Sequence, residues 1–483
     1  MKDKGFDLRL ASFFFLLPLS ICIYLFFIIP SIADPITQDE LWWYSKPVFI
    51  EKGDFSGEFA KYLWSPPLYG YLLTLSFWLF DTNEVSARLI GVLFNISTIV
   101  ITFLLAKEIF LVTNTTRVAS EASGGKDKDG NQKGSSIFKV QADGNLREGF
   151  DSDDTSAPEA YRQEFSGVRP YLAAALAVFI YACNPMVIQG SLIVDIDNTI
   201  LTTFMMLTLY CFVRVRDCLN TKNIVLLCLI YSLALWSKLT LPPLIIFSIL
   251  LFFLFNKDLK PNLYKIIIIF FAGSTIFLCS WWVVSYLEGL PFLHPLVYFL
   301  KSFTGQMHES MKYNKILFVR RIFRLGLWIS PIIIVFIFLL CIERIKAFLK
   351  NRRLEIFDLL LIYSNFIFIG YIVVGGLLFG FPKYHYPMMP VLSVVISVYI
   401  INSISSFSKK NFYLLIVIVL IGIIYNIVFV GDILYEFSFV LRKIVVENPL
   451  ESSKVLQGIV YRLLYLVLFF IVVLFFLKKY TDW

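Results

Sequence analysis

Residues 67–80, PLYGYLLTLSFWLF, decide how this chain is threaded. The stretch carries no charge, yet it is only 14 residues long. A helix needs ~20 consecutive apolar residues to cross ~30 Å of hydrocarbon. Residues 67–80 are therefore expected to form a re-entrant or interfacial segment rather than a span. That assignment sets the direction of every later crossing.

On either side of this segment the chain is dominated by longer apolar runs. Residues 10–32, 266–284, 332–342 and 414–430 hold almost no charge. Hydrophobic residues make up 58% of the 483, and charged residues 16%, against about 25% charged in an average soluble domain. A soluble core of this size could bury one or two such helices on every side, not so many. The expected fold class is an all-α polytopic membrane protein with about twelve transmembrane helices and a helical first extracytoplasmic loop.

The first apolar run exceeds the about 7–15 residues of a signal-peptide core, and no small-x-small cleavage site follows it. Met1-Lys2-Asp3-Lys4 and Arg9 precede it, which keeps the N-terminus cytoplasmic. With 67–80 not crossing, residues 88–110 run inward and 171–187 run outward as one span. Residues 199–213 return inward to Arg214, Arg216 and Lys222. Two spans flank Trp236-Ser237-Lys238 and return to Lys257, Lys260 and Lys265. Residues 266–286 then run out, and 325–341 run in to Arg344, Lys346, Lys350, Arg352 and Arg353. The remaining spans place Lys409-Lys410 and Lys478-Lys479 inside. Every short cytoplasmic loop then holds at least two basic residues, as the positive-inside bias requires. The long outer loop 288–324 is also basic, but long loops constrain orientation less. Both termini are expected in the cytoplasm, and the membrane is expected to be a plasma (inner) membrane.

Five regions follow. They are 1–110 (first span, first outer loop, second span), 111–169 (a flexible cytoplasmic insertion rich in Gly, Ser, Asp and Lys) and 170–287 (transmembrane helices). An outer amphipathic loop, 288–324, and the C-terminal helices, 325–483, complete the chain. The net charge of +8 sits mostly in the short loops between spans, so it does not point to nucleic acid. Most of the seven cysteines lie in apolar runs, without metal spacing or a disulfide framework. The three histidines, His294, His308 and His385, show no zinc spacing. No Gly-rich phosphate loop is present, which disfavours a nucleotide-bound donor.

Asp39 and Glu40 follow the first span by a few residues, in Thr37-Gln38-Asp39-Glu40-Leu41-Trp42-Trp43-Tyr44. A carboxylate beside aromatic residues at a membrane surface is partly desolvated, which strengthens it as a base. Acidic residues also sit at helix ends for ordinary reasons. Asp195 and Asp197 form an Asp-x-Asp at the outer end of a span. Such a pair can hold a divalent cation through its oxygens, bind sugar hydroxyls, or cap the helix that starts near Asn198. Beyond that optional cation no cofactor is implied.

Several motifs in order carry a resemblance. Asp39-Glu40 is followed by Trp64-Ser65-Pro66-Pro67-Leu68 and by Ala87-Arg88 at the start of the next span. Ala182-Cys183-Asn184-Pro185, Ser191-Leu192-Ile193-Val194-Asp195-Ile196-Asp197 and Lys383-Tyr384-His385-Tyr386-Pro387 come later. This series resembles the GT-C glycosyltransferases that use polyprenyl-phosphate sugars, in the protein mannosyltransferase and aminoarabinose transferase branch. The ordered match covers roughly residues 34–240.

The resemblance implies that Asp39 activates the acceptor, with Glu40 as its neighbour, and that Arg88 lies near the donor phosphate. One position departs. Where the aminoarabinose transferases carry Lys and the protein mannosyltransferases often carry His, this chain has Ser65. Lys61, Arg88, Lys238 and Lys383 all fall on the outer side and supply alternative cations for the growing phosphate charge. Arg suits phosphate through paired hydrogen bonds. Lys238 can equally be an inter-helix turn lysine. Asp195, Asp197, Tyr62 and His385 are candidates for substrate contact, although Tyr62 also fits an interfacial aromatic belt.

The expected activity is sugar transfer from a polyprenyl-phosphate donor to a lipid, glycan or protein acceptor on the extracytoplasmic face. The partners are that donor, the bilayer and the acceptor, and no nucleic acid. Inversion is expected, because one base-assisted displacement needs no covalent intermediate. A secondary transporter and a lipid-linked glycan polymerase or ligase are the competing readings.

Overall fold

The computed structural model describes residues 15–33, 68–124, 157–195, 198–256, 259–287, 289–303, 325, 328–329, 331–374 and 383–404. Asp39, Glu40, Lys61, Tyr62 and Asp197 lie outside the described residues, as do the C-terminal spans expected after residue 404. Every described element is helical. The fold is an all-α polytopic membrane fold.

α1 is Leu17–Ile28, with a 3-10 turn at Ile29–Ser31. α2 is Leu68–Phe80, whose 13 residues reach about 20 Å along the axis. It is one of the shorter apolar helices, below the length of an ordinary span. α3, Glu84–Gly124, follows at once. The turn between them is locked by side chains. Asn83 Oδ1 accepts from the Ser86 N–H at 2.8 Å, and Ser86 Oγ accepts from the Asn83 N–H at 3.2 Å. This is a reciprocal cap of the capping-box kind. Ser76 on α2 donates to the Ser86 carbonyl at 2.6 Å, so the two helices share the turn. Asp81 takes φ 63° there, a left-handed conformation that Asp tolerates better than most residues.

α3 is 41 residues long, and residues 84–114 of it form a candidate span. α4, Ala157–Ala182, returns antiparallel to it. The region expected as an insertion over 111–169 is therefore helical at both ends, and residues 125–156 lie outside the described residues.

α5, Pro185–Leu192, continues from α4 after a bend of 59°. Residues 171–187, expected to run outward as one span, contain this break, and the bent pair is apolar enough to be a single span when taken together. The cause is local. A residue before proline is driven out of the helical region, and Asn184 is extended at φ −77°, ψ 131°. Its Oδ1 then caps the new helix by accepting from Met186 N–H at 2.9 Å, with Pro185 in the first turn. Its Nδ2 donates to the Ile329 carbonyl at 3.2 Å.

α6 (Thr199–Val215) and α7 (Thr221–Ser237) form an antiparallel hairpin, followed by α8 (Pro242–Phe255) and α9 (Leu263–Leu287). α10 (His294–Phe303), α11 (Pro331–Asn351) and α12 (Ile356–Val374) lead to a 3-10 segment, Lys383–Met388, and α13 (Met389–Ile404). Among the described residues three helices are long and apolar enough to cross a membrane, or four if the bent α4–α5 pair is one span. α13 runs through the centre, packed on α3 and α4, and the apolar stretch of α9 is mostly on the outside.

The chain directions give the bundle two ends. At one end Asn114 of α3 donates to Asn402 of α13 at 3.3 Å. At that end Arg344 also forks onto Asp358 at 2.7 and 2.9 Å and reaches Glu355 at 3.1 Å, stapling α11 to α12. Burial of Arg344 opposes its charge, but Asp358 and Glu355 outweigh it and raise its pKa above the ordinary arginine value. The opposite end gathers the close of α1, the start of α3, the close of α5, the start of α6 and the close of α7.

Candidate active site

The second end is held together by Arg88, in the first turns of α3. Its side chain is buried, and Nε donates to the Leu192 carbonyl at 2.7 Å. Nη1 donates to the Ile32 and Ser31 carbonyls at 3.1 and 3.4 Å. These are the terminal carbonyls of α5 and of the turn after α1, which have no partner within their own helices. Close approach is permitted by Gly91, one turn on. A Cβ there would stand 2.9 Å from the Ser191 carbonyl oxygen and 3.5 Å from Thr199 Oγ1. Asp195 follows the end of α5 by three residues and is buried.

Lys238 ends α7 at the same end. Its ammonium lies 4.3 Å from the centre of the Tyr384 ring, a cation–π contact. Tyr384 is flanked by Lys383 and His385 in the 3-10 segment. Lys238 and the Lys383–Pro387 motif, 145 residues apart at their nearest candidates, thus meet through an aromatic ring. His385 is fully buried, edge-on to Phe368 with ring centres 6.1 Å apart.

The next residue, Tyr386, ties this segment into the bundle. Its hydroxyl contacts Asn95 Oδ1 at 3.1 Å and the Val187 carbonyl of α5 at 3.2 Å. Tyr181 of α4 donates to the same Asn95 oxygen and lies 3.4 Å from the Tyr386 hydroxyl. Asn95 is two turns after Arg88 on α3. The short helix α5 is therefore gripped twice, at Val187 by Tyr386 and at Leu192 by Arg88. Asn95, Tyr181 and Tyr386 were not among the sequence candidates as site-organising residues. An asparagine inside an apolar span such as 88–110 is itself a signal, because polar groups at membrane depth need partners.

The structure thus brings Arg88, Asp195, Lys238 and the Lys383–His385 segment to one end of the bundle. Asp195 belongs to no cluster of three metal-ligating side chains among the described residues. The chemistry available is cationic and hydrogen-bonding, suited to an anionic headgroup.

Residues 168–286 match the model of the family described as dolichyl-phosphate-mannose-protein mannosyltransferase. That segment runs from α4 through most of α9. No curated protein matches the chain. Among solved structures, ArnT from Cupriavidus metallidurans bound to undecaprenyl phosphate shares the fold, with a TM-score of 0.53 at 13% identity. That match covers 94% of this chain and 76% of ArnT. ArnT in the apo state gives a TM-score of 0.52 at 13% identity, over 91% of this chain and 65% of that one. The fold is that of ArnT, an all-α polytopic membrane fold. Within that class the chain is similar to the ArnT and protein mannosyltransferase branch, as its ordered motifs suggest.

Proposed function

We propose that the protein is a membrane glycosyltransferase, moving a sugar from a polyprenyl-phosphate carrier to a lipid, glycan or protein acceptor on the extracytoplasmic face. The observation that carries this reading is that Arg88, and the contact of Lys238 with Tyr384 beside Lys383, lie at the same end of the bundle. The first loop, with Asp39 and Glu40, leaves from that same end, because Ile32 sits against Arg88. The undecaprenyl phosphate in the ArnT structure supports a carrier of the same chemical kind.

In this mechanism Asp39 accepts the proton of an acceptor hydroxyl, with Glu40 beside it. The hydroxyl oxygen bonds to the anomeric carbon as the bond from that carbon to the phosphate oxygen breaks. The electron pair stays on the phosphate, whose growing charge is met by Lys238, Lys383, Lys61 and Arg88. Phosphate is already a weak base, so no general acid is obligatory. One displacement inverts the anomeric centre. In this reading Asp195, Asp197, Tyr62 and His385 contact the sugar or the acceptor, and a divalent cation at the aspartates is compatible with the reaction.

Orientation is supported by the far end of the bundle. Arg214, Arg216 and Lys222 flank the α6–α7 turn, Lys260 and Lys265 the α8–α9 turn, and Arg344 to Arg353 the α11–α12 turn. Basic turns favour the cytoplasmic side, which supports a site on the other face.

A broken span is also a transporter feature. Here the break is capped by Asn184, and the candidate charges lie at the ends of spans rather than at the midplane. The deciding experiment reconstitutes the purified chain in proteoliposomes with a radiolabelled polyprenyl-phosphate sugar and extracted envelope acceptors. Label appearing in covalent linkage to an acceptor is expected. Flux of label across the bilayer without covalent transfer would replace the enzyme reading by the transporter one.

A further inference from the structure

Asn198 stands at the corner between α5 and α6, and its side chain is fully buried. Neither its Oδ1 nor its Nδ2 has a hydrogen-bond partner among the described residues. The residue occupies the N-cap of α6, where an asparagine side chain ordinarily accepts a first-turn N–H. It makes no such bond. Asn184 before α5 and Asn220 before α7 each do, accepting from Met186 and Asn223 N–H. The backbone carbonyl of Asn198 is fully employed, accepting from Thr202 N–H at 3.2 Å and from Thr202 Oγ1 at 2.6 Å. Only the amide of the side chain is unspent. A buried group that serves neither the helix nor the core lowers stability, and each such group in a folded protein calls for an explanation.

Its position supplies one. Asp195 lies three residues before it, buried at the same corner. Thr199, the next residue, is the one that Gly91 of α3 allows close. The antiparallel α6–α7 hairpin brings Lys238 to this same end. An amide offers a donor and an acceptor side by side, without charge. That pair suits adjacent hydroxyls of a sugar ring and does not suit a phosphate. Burial also keeps bulk water from competing for the two valences, which makes the contact discriminating.

We propose that the Asn198 amide recognises the sugar itself, donating to one ring hydroxyl and accepting from its neighbour while the cations hold the phosphate. This rests on the glycosyl-transfer reading above and names a specificity group for it. Asn198 touches the part of the donor that is transferred, so it selects which sugar is carried.

The test uses the full chain in proteoliposomes with pentose- and hexose-bearing polyprenyl phosphates and their monodeoxy analogues. The wild type is expected to prefer its sugar over one deoxy analogue by about a hundredfold in kcat/KM, since a site built to bond a hydroxyl rejects its absence strongly. Asn198→Leu, nearly isosteric, is expected to transfer the full sugar about a hundredfold more slowly and to treat the deoxy analogue almost as the wild type does. Its melting temperature is expected to rise, because an unpaired buried amide has been removed. A Leu variant that melts higher yet keeps the wild-type sugar preference would overturn the proposal and leave the amide a buried liability alone. Should the Leu variant not fold, Asn198→Ala is read on the same preference, with the same two outcomes. If the wild type transfers none of the panel, the transfer reading itself falls and this inference with it. That result is distinct from transfer with an unaltered preference in the variant.

Discussion

Arg88 and Leu192 are 104 residues apart in the chain and joined by a 2.7 Å hydrogen bond from the guanidinium Nε to the carbonyl oxygen. The same guanidinium holds the carbonyls of Ser31 and Ile32. One side chain of α3 therefore closes the ends of two other elements, α5 and the turn after α1. Arg88→Ala should leave those carbonyls without a donor and cost about 3 kcal/mol or more, at ~1–3 kcal/mol per buried unsatisfied group. Arg88→Lys keeps the charge but offers a point donor in place of a planar fork, and should recover less than half. Thermal unfolding of the detergent-purified variants measures both, and an Ala variant that melts with the wild type would disprove the clamp.

Gly91→Ala should cost about 1–3 kcal/mol through overpacking. The nearest atom to the added Cβ is the Ser191 carbonyl oxygen at 2.9 Å, which is backbone and cannot swing away. Gly289→Ala meets no atom within 4 Å, but Gly289 holds φ +71°. Its cost should come from the backbone alone, at about 1 kcal/mol. Melting curves of the two variants separate steric from conformational loss.

Lys238→Gln should raise the KM for the lipid donor about tenfold, with kcat falling less, if the ammonium meets the donor phosphate. Tyr384→Phe keeps the ring that Lys238 rests on and should behave as the wild type. Tyr384→Ala removes that ring and should shift KM in the same direction as Lys238→Gln, by a smaller factor, because a cation–π contact contributes about 0.5–2 kcal/mol. Steady-state transfer kinetics over donor concentration give the comparison. A Tyr384→Phe variant as impaired as Lys238→Gln would show that the hydroxyl, not the ring, matters.

Asp39→Asn should insert and melt normally while transfer falls by about 10²–10⁴-fold, the usual range for a lost general base. Labelled-donor assays on matched amounts of folded protein read this directly. Full retained transfer would remove Asp39 from the role of base.

Tyr386→Phe deletes one hydroxyl from the Asn95–Tyr181–Tyr386 group. Asn95 Oδ1 keeps Tyr181, but the Val187 carbonyl loses a donor. A loss of about 1 kcal/mol is expected in unfolding measurements.

Membrane architecture was legible from apolar run length, because hydrocarbon imposes a minimum length that sequence records directly. The short helix α2 was legible for the same reason, since 67–80 is one uncharged run of 14 residues. The bend at Asn184 is not visible in run length, although Ala182-Cys183-Asn184-Pro185 is one of the motifs that carry the family resemblance. Run length reports how much is buried and is blind to direction, so 171–187 reads as one crossing. Individual site contacts were less visible still. Arg88 reads as a basic residue beside a phosphate, while its three carbonyl partners depend on how α1 and α5 end in space. Asn198 was noted only as the start of a helix, since a side chain left unpaired is a property of the fold and not of its own sequence. Asp39, Glu40, Lys61, Tyr62 and Asp197 lie outside the described residues and stand on the sequence alone.

The helices α6, α7 and α8 hold 17, 17 and 14 residues. At 1.5 Å per residue they reach about 21 to 26 Å, short of the ~30 Å hydrocarbon of an average bilayer. Where helices of this length cross, the mismatch is met by thinning of the bilayer, by snorkelling of flanking residues or by association. Bilayer thickness then becomes a control variable for this protein, with short-chain lipids relieving the strain and long-chain lipids adding to it.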